Sequence, residues 1–201
     1  MFKRLASEAL GLSDIGVIVA PQDYDKVDAD DYLFHEDGEK IFFLIKSKKD
    51  EYCFTNFALI HVDGDSAVSS KRTIKRYEYA KSFIDQVRIE TAGTIDMDVE
   101  LKFIIADTAF SIDVRKNHLE SLKDIYKTLI SINKRQLIDE VCHENIKLAL
   151  NATASMYKIT SATHIEIAQQ FKELLNQLNT STLVTHTKRD YSDVFTKYIQ
   201  N

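Results

Sequence analysis

Three lysines hold the most suggestive chemistry in this sequence. Lys46, Lys48 and Lys49 crowd the turn of a predicted hairpin, where converging cations suit a phosphate or an anionic lipid head-group. Asp50 and Glu51 follow at once and offset them, and no arginine stands where a phosphate clamp needs one, so a solvated turn is the favoured reading. Lys71, Arg72, Lys75 and Arg76 form a second basic group. On a strand, 71 and 75 face away from 72 and 76, which predicts cross-strand ion pairing rather than one patch. Asp96, Asp98 and Glu100 recur every second residue, about 6.5–7 Å apart on one strand face. That spacing is too wide for a shared proton, and one metal ion would need further ligands from elsewhere. The run Asp23, Asp25, Asp28, Asp30, Asp31, Glu36 and Asp37 lacks the glycine-pinned order of a calcium loop and reads as a solvated acidic connector. The six histidines (35, 61, 118, 143, 164 and 186) are scattered. Cys142, His143 and Glu144 are adjacent on a predicted helix, where neighbours diverge by about 100° and cannot close on one ion. No glycine-rich phosphate loop, nucleophile elbow or metalloprotease helix is present. The residues therefore predict no enzyme, no metal and no cofactor.

The elements that position these groups follow from composition and period. The chain has 201 residues, 44% of them hydrophobic and 28% charged, which suits a globular domain with an appendage. Residues 1–132 carry 18 basic against 24 acidic side chains and residues 133–201 carry 8 against 7, so the first part lacks the basic footprint of a nucleic-acid binder. No apolar run approaches the ~18–20 residues of a membrane span. Met1 to Ala6 has basic residues without a following apolar stretch, unlike a secretory leader. A cytoplasmic protein is expected, with Cys53 and Cys142 as buried free thiols.

Phe2, Leu5, Ala6, Ala9 and Leu10 predict a short amphipathic helix, and Ile15 to Val19 an edge strand or packing loop. Strands are then predicted at Ile41–Ile45, Asp50–Phe54, Phe57–Val62, Ser70–Tyr79 and Phe83–Glu90. Gly93 supplies the turn into a strict alternation in which Ile95, Met97, Val99, Leu101 and Phe103 share one face. Ala106 to Ala109 turns the chain into a last strand at Phe110–Val114. About seven strands joined by short turns, with no helix between them, make an antiparallel sandwich or barrel.

The period changes after Arg115. Leu119, Leu122, Ile125, Tyr126, Leu129 and Ile130 form a helical stripe able to close the open end of the sheets. A second helix is predicted at Lys134–Tyr157 with Leu137, Ile138, Val141, Cys142 and Ile146 on one face. Thr163 and Glu166 form a capping box that opens a third helix through Ile167, Phe171, Leu174, Leu175 and Leu178, which Asn179 to Thr182 is expected to break. Tyr191, Val194, Phe195, Tyr198 and Ile199 stripe a last helix. A short helical hairpin cannot bury both its faces alone. Leu137, Val141, Ile167, Phe171, Leu175 and Phe195 are the candidate residues of an interface with further copies.

Seven antiparallel strands closed by a helix are the layout of the pleckstrin-homology (PH) fold, and specific segments agree. Phe54-Thr55-Asn56, Leu59-Ile60-His61-Val62-Asp63, Ser69-Ser70-Lys71-Arg72-Thr73, Arg76-Tyr77, Glu90 through Glu100, Ser111-Ile112-Asp113-Val114 and Leu122-Lys123-Asp124-Ile125-Tyr126-Lys127 resemble the bacterial PH-like domain family, in its YvbH type. The resemblance covers roughly residues 30–132. It departs at Phe57-Ala58, where the family often has a basic pair, and at Ala80-Lys81-Ser82-Phe83, where many members have a proline. It implies an α+β fold in three parts: residues 1–29 as an N-terminal helix and connector, 30–132 as a PH-like barrel, and 133–201 as a helical hairpin extension associated with oligomerisation. It also implies a non-enzymatic scaffold or protein-interaction module that assembles into a homo-oligomer such as a ring, with an unidentified protein partner. The alternative is a peripheral membrane module that meets anionic lipid through the Lys46–Lys49 hairpin or the terminal helix.

Overall fold

The computed structural model describes residues 13–64, 71–91, 98–157 and 164–199. The predicted helix at residues 2–12, the turns at Asp65 and Gly93, the positions of Ile95, Asp96 and Met97, and Thr163 of the capping box lie outside them. Eight strands are described: β1 (Val17–Ile18), β2 (Ile41–Lys46), β3 (Glu51–Thr55), β4 (Ala58–Gly64), β5 (Arg72–Glu78), β6 (Ile84–Thr91), β7 (Asp98–Ile105) and β8 (Thr108–Arg115). They form two antiparallel sheets in the orders β1-β2-β3-β4-β5 and β6-β7-β8. The sheets join at Gly16, whose amide donates to the Asp113 carbonyl (2.7 Å) and whose carbonyl accepts from the Arg115 amide (3.0 Å). A Cβ there would sit 2.8 Å from Ile45 Cγ2 and 3.0 Å from the Asp113 oxygen, so this seam depends on glycine.

The strand sequences follow from what covers each face. β7 alternates, with Val99, Leu101, Phe103 and Ile105 buried and the intervening residues half-exposed, because one face meets solvent. β2 and β4 are apolar runs because both their faces are covered. Phe43, Ile45, Phe54 and Leu59 point between the sheets, where α1 (Leu119–Tyr157) adds Leu122, Ile125, Leu129 and Ile132. Leu44, Cys53, Ile60 and Val62 face the other way, into a second core closed by Val19, Val27, Ala29 and Leu33.

That second core corrects the expected solvated connector. Residues 21–37 form three short 3₁₀ turns packed on the sheet. Two buried carboxylates fasten them. Glu51 accepts from the Ala29 amide (2.8 Å) and the Asp28 amide (3.2 Å), and Glu39 accepts from the Phe34 amide (2.9 Å) and Thr55 Oγ1 (2.6 Å).

Three helix expectations change. α1 is one helix of 39 residues, about 58 Å long, rather than two. No glycine or proline interrupts it, and Asn133 stays helical while its side chain binds the Ile84 carbonyl. α2 (His164–Thr187) runs straight through Asn179–Thr182. Such polar residues cost a helix only tenths of a kcal/mol each, and Thr180 Oγ1 returns to the Asn176 carbonyl at 2.8 Å. α3 (Ser192–Tyr198) folds back onto the sheets instead of extending the hairpin, burying Tyr191, Val194 and Phe195 in the main core.

Candidate functional site

Among the described residues, the large exposed hydrophobic side chains lie mostly on the arm formed by α1 and α2, with Tyr32, Phe34 and Phe83 the others. The last buried side chains on α1 are Ile132 and Gln136. From Leu137 onward the helix leaves the sheets, and Leu137, Ile138, Val141 and Leu148 are each more than half exposed. On α2, Phe171 is 44% and Leu175 39% exposed. Of the candidate interface residues, Leu137, Val141, Phe171 and Leu175 are therefore exposed on this arm, whereas the side chain of Ile167 lies outside the described residues. Ile138 and Leu148 join them. Leu148 sits seven residues beyond Val141, a spacing that marks one helix face.

Phe195 does not belong with this set. It is fully buried, its ring stacked on Phe42 with centroids 5.0 Å apart. Tyr191 packs edge-on against Tyr79 at 5.7 Å, and burial pushes its phenol up to about 12. The root of α3 is held by polar contacts as well: the Tyr191 amide donates to the Asn56 carbonyl (3.0 Å), and Arg135 donates twice to Asp193 (2.7 Å each). An amphipathic stripe looks the same whether it packs within its chain or on another, so sequence alone could not separate the two. Cys142 is likewise corrected: it is exposed on the arm, while Cys53 is buried and its thiol pushed well up by that burial.

The hairpin lysines do not converge. Lys46 is mostly buried and paired with Glu51, and Lys49 Nζ lies 3.9 Å from Asp14. Lys48 is exposed. The second basic group splits as its spacing implied, Lys75 pairing with Asp63 (3.1 Å) and Arg76 with buried Glu39 (3.0 Å). Of the Asp98 and Glu100 carboxylates described on β7, Glu100 is engaged in an ion pair: Lys102 lies 2.8 Å from it and 2.7 Å from Glu90 on β6. Hydrogen bonds from Lys102 and then Ser111 hold Glu100 below the usual carboxylate range. Opposite it on β8, burial first and then Glu100 and Asp98 push Asp113 up. Among the described residues no group of three histidine, cysteine or acidic side chains is placed to hold a metal. No described helix is long and apolar enough to cross a membrane.

One cleft of about 250 Å³ lies where the end of α2 meets the sheets, lined by Phe34, Phe57, Arg76, Lys188 and Arg189 among others. Its cations are committed: Arg76 lies over the Phe34 ring and binds Glu39, Lys188 lies over Phe57 and 3.2 Å from Asp37, and Arg189 lies 3.2 Å from Asp139. That leaves little net charge to recognise an anion.

Two sheets closed by a helix, with a paired-up hairpin in place of a phosphate clamp and an apolar helical arm, define a PH-type protein carrying a helical appendage. The chain belongs to the bacterial PH domain family, whose model matches residues 9–133, and a YvbH-like oligomerisation region matches residues 144–201. It is 50% identical, over the full length of both chains, to the uncharacterized protein YvbH of Bacillus subtilis (strain 168). It is 33% identical over 99 residues to the uncharacterized protein YjqA of the same organism, covering 48% of this chain and 76% of that one. A crystal structure of a PH domain containing bacterial protein from Exiguobacterium sibiricum 255-15 superposes with a TM-score of 0.81 at 43% identity, covering 92% of this chain and all of that one.

Proposed function

We propose that this chain is a non-enzymatic interaction module that self-assembles through its α1–α2 arm and presents several copies of its PH-type body as a scaffold. The observation that carries this reading is the exposed apolar surface of Leu137, Ile138, Val141, Leu148, Phe171 and Leu175, on an arm that overlaps the YvbH-like oligomerisation region. Single exposed apolar residues are ordinary, but six large ones grouped on one appendage mark an interaction site. The body is the part bounded by the sheets, the first half of α1, and α3. The arm runs from about Leu137 to the end of α2.

The membrane alternative has lost support from both its carriers. Lys46 is turned inward to Glu51, and the apolar face of α3 is spent in the core. The test is the mass of the full chain by light scattering, beside Val141→Glu and Phe171→Glu variants. A wild type heavier than a monomer, with a lower mass in at least one variant, is expected. A monomeric wild type overturns the proposal. Deleting the chain after Ser131 is an unsuitable test, because it also removes Ile132, Gln136, Tyr191, Val194 and Phe195 from the body.

A further inference from the structure

We propose that the outward face of α1 pairs with the same face of a second copy, with Asn145 of one copy opposite Asn145 of the other. The inference rests on the self-assembly reading above and assigns the contact within it.

Burial along the free part of α1 is periodic. Asp139, His143, Ile146, Leu150 and Thr153 are half-buried while their neighbours are exposed. Their spacings of four, three, four and three residues follow a heptad, and at its start Asp139 lies 3.2 Å from Arg189, just beyond the end of α2. The opposite side carries a second heptad row: Ile138, Val141, Asn145, Leu148 and Ala152, spaced three, four, three and four. Ile138 is 62%, Val141 60% and Leu148 65% exposed, so no described part of this chain covers the row. The row begins just past Gln136, the last buried side chain of α1, and runs into the matched oligomerisation region at residue 144, so it is continuous with the surface on which assembly is proposed.

The composition of the row selects the occupant. A β-branched residue at the first position of a heptad, with a single polar asparagine at the next such position, is the pattern of a two-stranded helical seam. Asparagine placed among apolar side chains tolerates burial only where its amide finds a partner, and the amide of a second Asn145 supplies both a donor and an acceptor. It thereby fixes the register: sliding one helix by a heptad would set Asn145 against an apolar residue. Phe171 and Leu175 lie on the other helix of the arm, α2.

The test uses the full-length chain with Cys142→Ser, which removes the exposed native thiol and leaves Cys53 buried. In that background Asn145→Cys is oxidised mildly and compared with Phe171→Cys. Facing positions on the seam are close enough for a disulfide, so Asn145→Cys is expected to become a covalent dimer in most of the sample while Phe171→Cys does not. Leu148→Cys is expected to cross-link as well, because residues at the first core position, Asn145 among them, face their own copies when the two helices run parallel, and Leu148 then does so too. Failure of Leu148→Cys to cross-link would overturn the pairing. Asn145→Leu keeps the assembly but is expected to yield more than one mass, because register is no longer fixed. A wild type that is oligomeric by light scattering, with Asn145→Cys cross-linking no better than Phe171→Cys, overturns this inference and leaves self-assembly standing. A monomeric wild type overturns both.

Discussion

Replacing Gln136 by leucine should unlock the corner that carries the chain from one sheet to the other. Gln136 sits on α1, 5% exposed, just before the helix leaves the body. Its Nε2 donates to the carbonyls of Tyr79 (2.7 Å) and Ser82 (2.8 Å), and its Oε1 accepts from the Ile84 amide (3.0 Å). Leucine fills nearly the same volume, so the loss is polar: one amide and two carbonyls lose these partners in a buried place. Each such group costs about 1–3 kcal/mol, and the carbonyls at the low end, so the substitution should cost roughly 3–5 kcal/mol. That is a large part of the ~5–15 kcal/mol by which domains are stable. With a urea slope near the top of the usual ~1–3 kcal/mol per molar, the unfolding midpoint should fall by about 1–2 M. The assay is urea unfolding followed by far-ultraviolet circular dichroism. A midpoint within a few tenths of a molar of wild type would refute the reasoning, and would mean the corner is held by its own turn alone.

Phe195→Ala should destabilise the body by about 3–5 kcal/mol in the same assay, whereas Phe171→Ala should change unfolding little and act on mass instead. Equal effects of the two would contradict the assignment of one ring to the core and the other to the arm. Ala106 and Asp107 form the β7–β8 turn with φ of 48° and 63°, a conformation that costs alanine its steric comfort. Ala106→Gly should therefore raise stability by about 0.5–1 kcal/mol, and an unchanged or lower melting temperature would count against it. Arg135 holds the carboxyl of Asp193 below its usual range, so this contact contributes stability above the ordinary carboxylate range and loses it as pH falls through the depressed value. The wild type should lose more stability on acidification than Asp193→Asn, and identical pH profiles would show the pair to be inert. Full-length protein should not float with anionic vesicles at physiological salt, and Lys48→Glu should leave that unchanged. Flotation abolished by Lys48→Glu would restore the lipid reading.

Much of the body was legible because its physics is local. The alternation from Val99 to Ile105 fixes one strand and its buried face, and the change of period after Arg115 marks where α1 takes over. The two-faced burial of β2 and β4 was harder. Their apolar runs imply a second cover, but its residues, Val27, Ala29 and Leu33, are spread thinly among seven acidic side chains that dominate the eye. The run of α1 past Asn133 was hidden because its apolar face rotates once it leaves the sheets, so one helix reads as two. The fate of α3 was not legible at all, since the groove that takes Phe195 is built from Phe42 and Tyr79, more than a hundred residues away. The arm surface was partly legible: Leu137, Val141, Phe171 and Leu175 stand out by period, but only the folded chain shows that its own body leaves them bare.

The mass of the full chain in solution tests the central claim most directly. Light scattering on the eluting protein should give an integer multiple of the 23.1 kDa chain that persists on dilution and falls when Val141 and Leu148 are both changed to glutamate. A mass of one chain at every concentration would contradict the account, because the exposed apolar arm would then need some other partner.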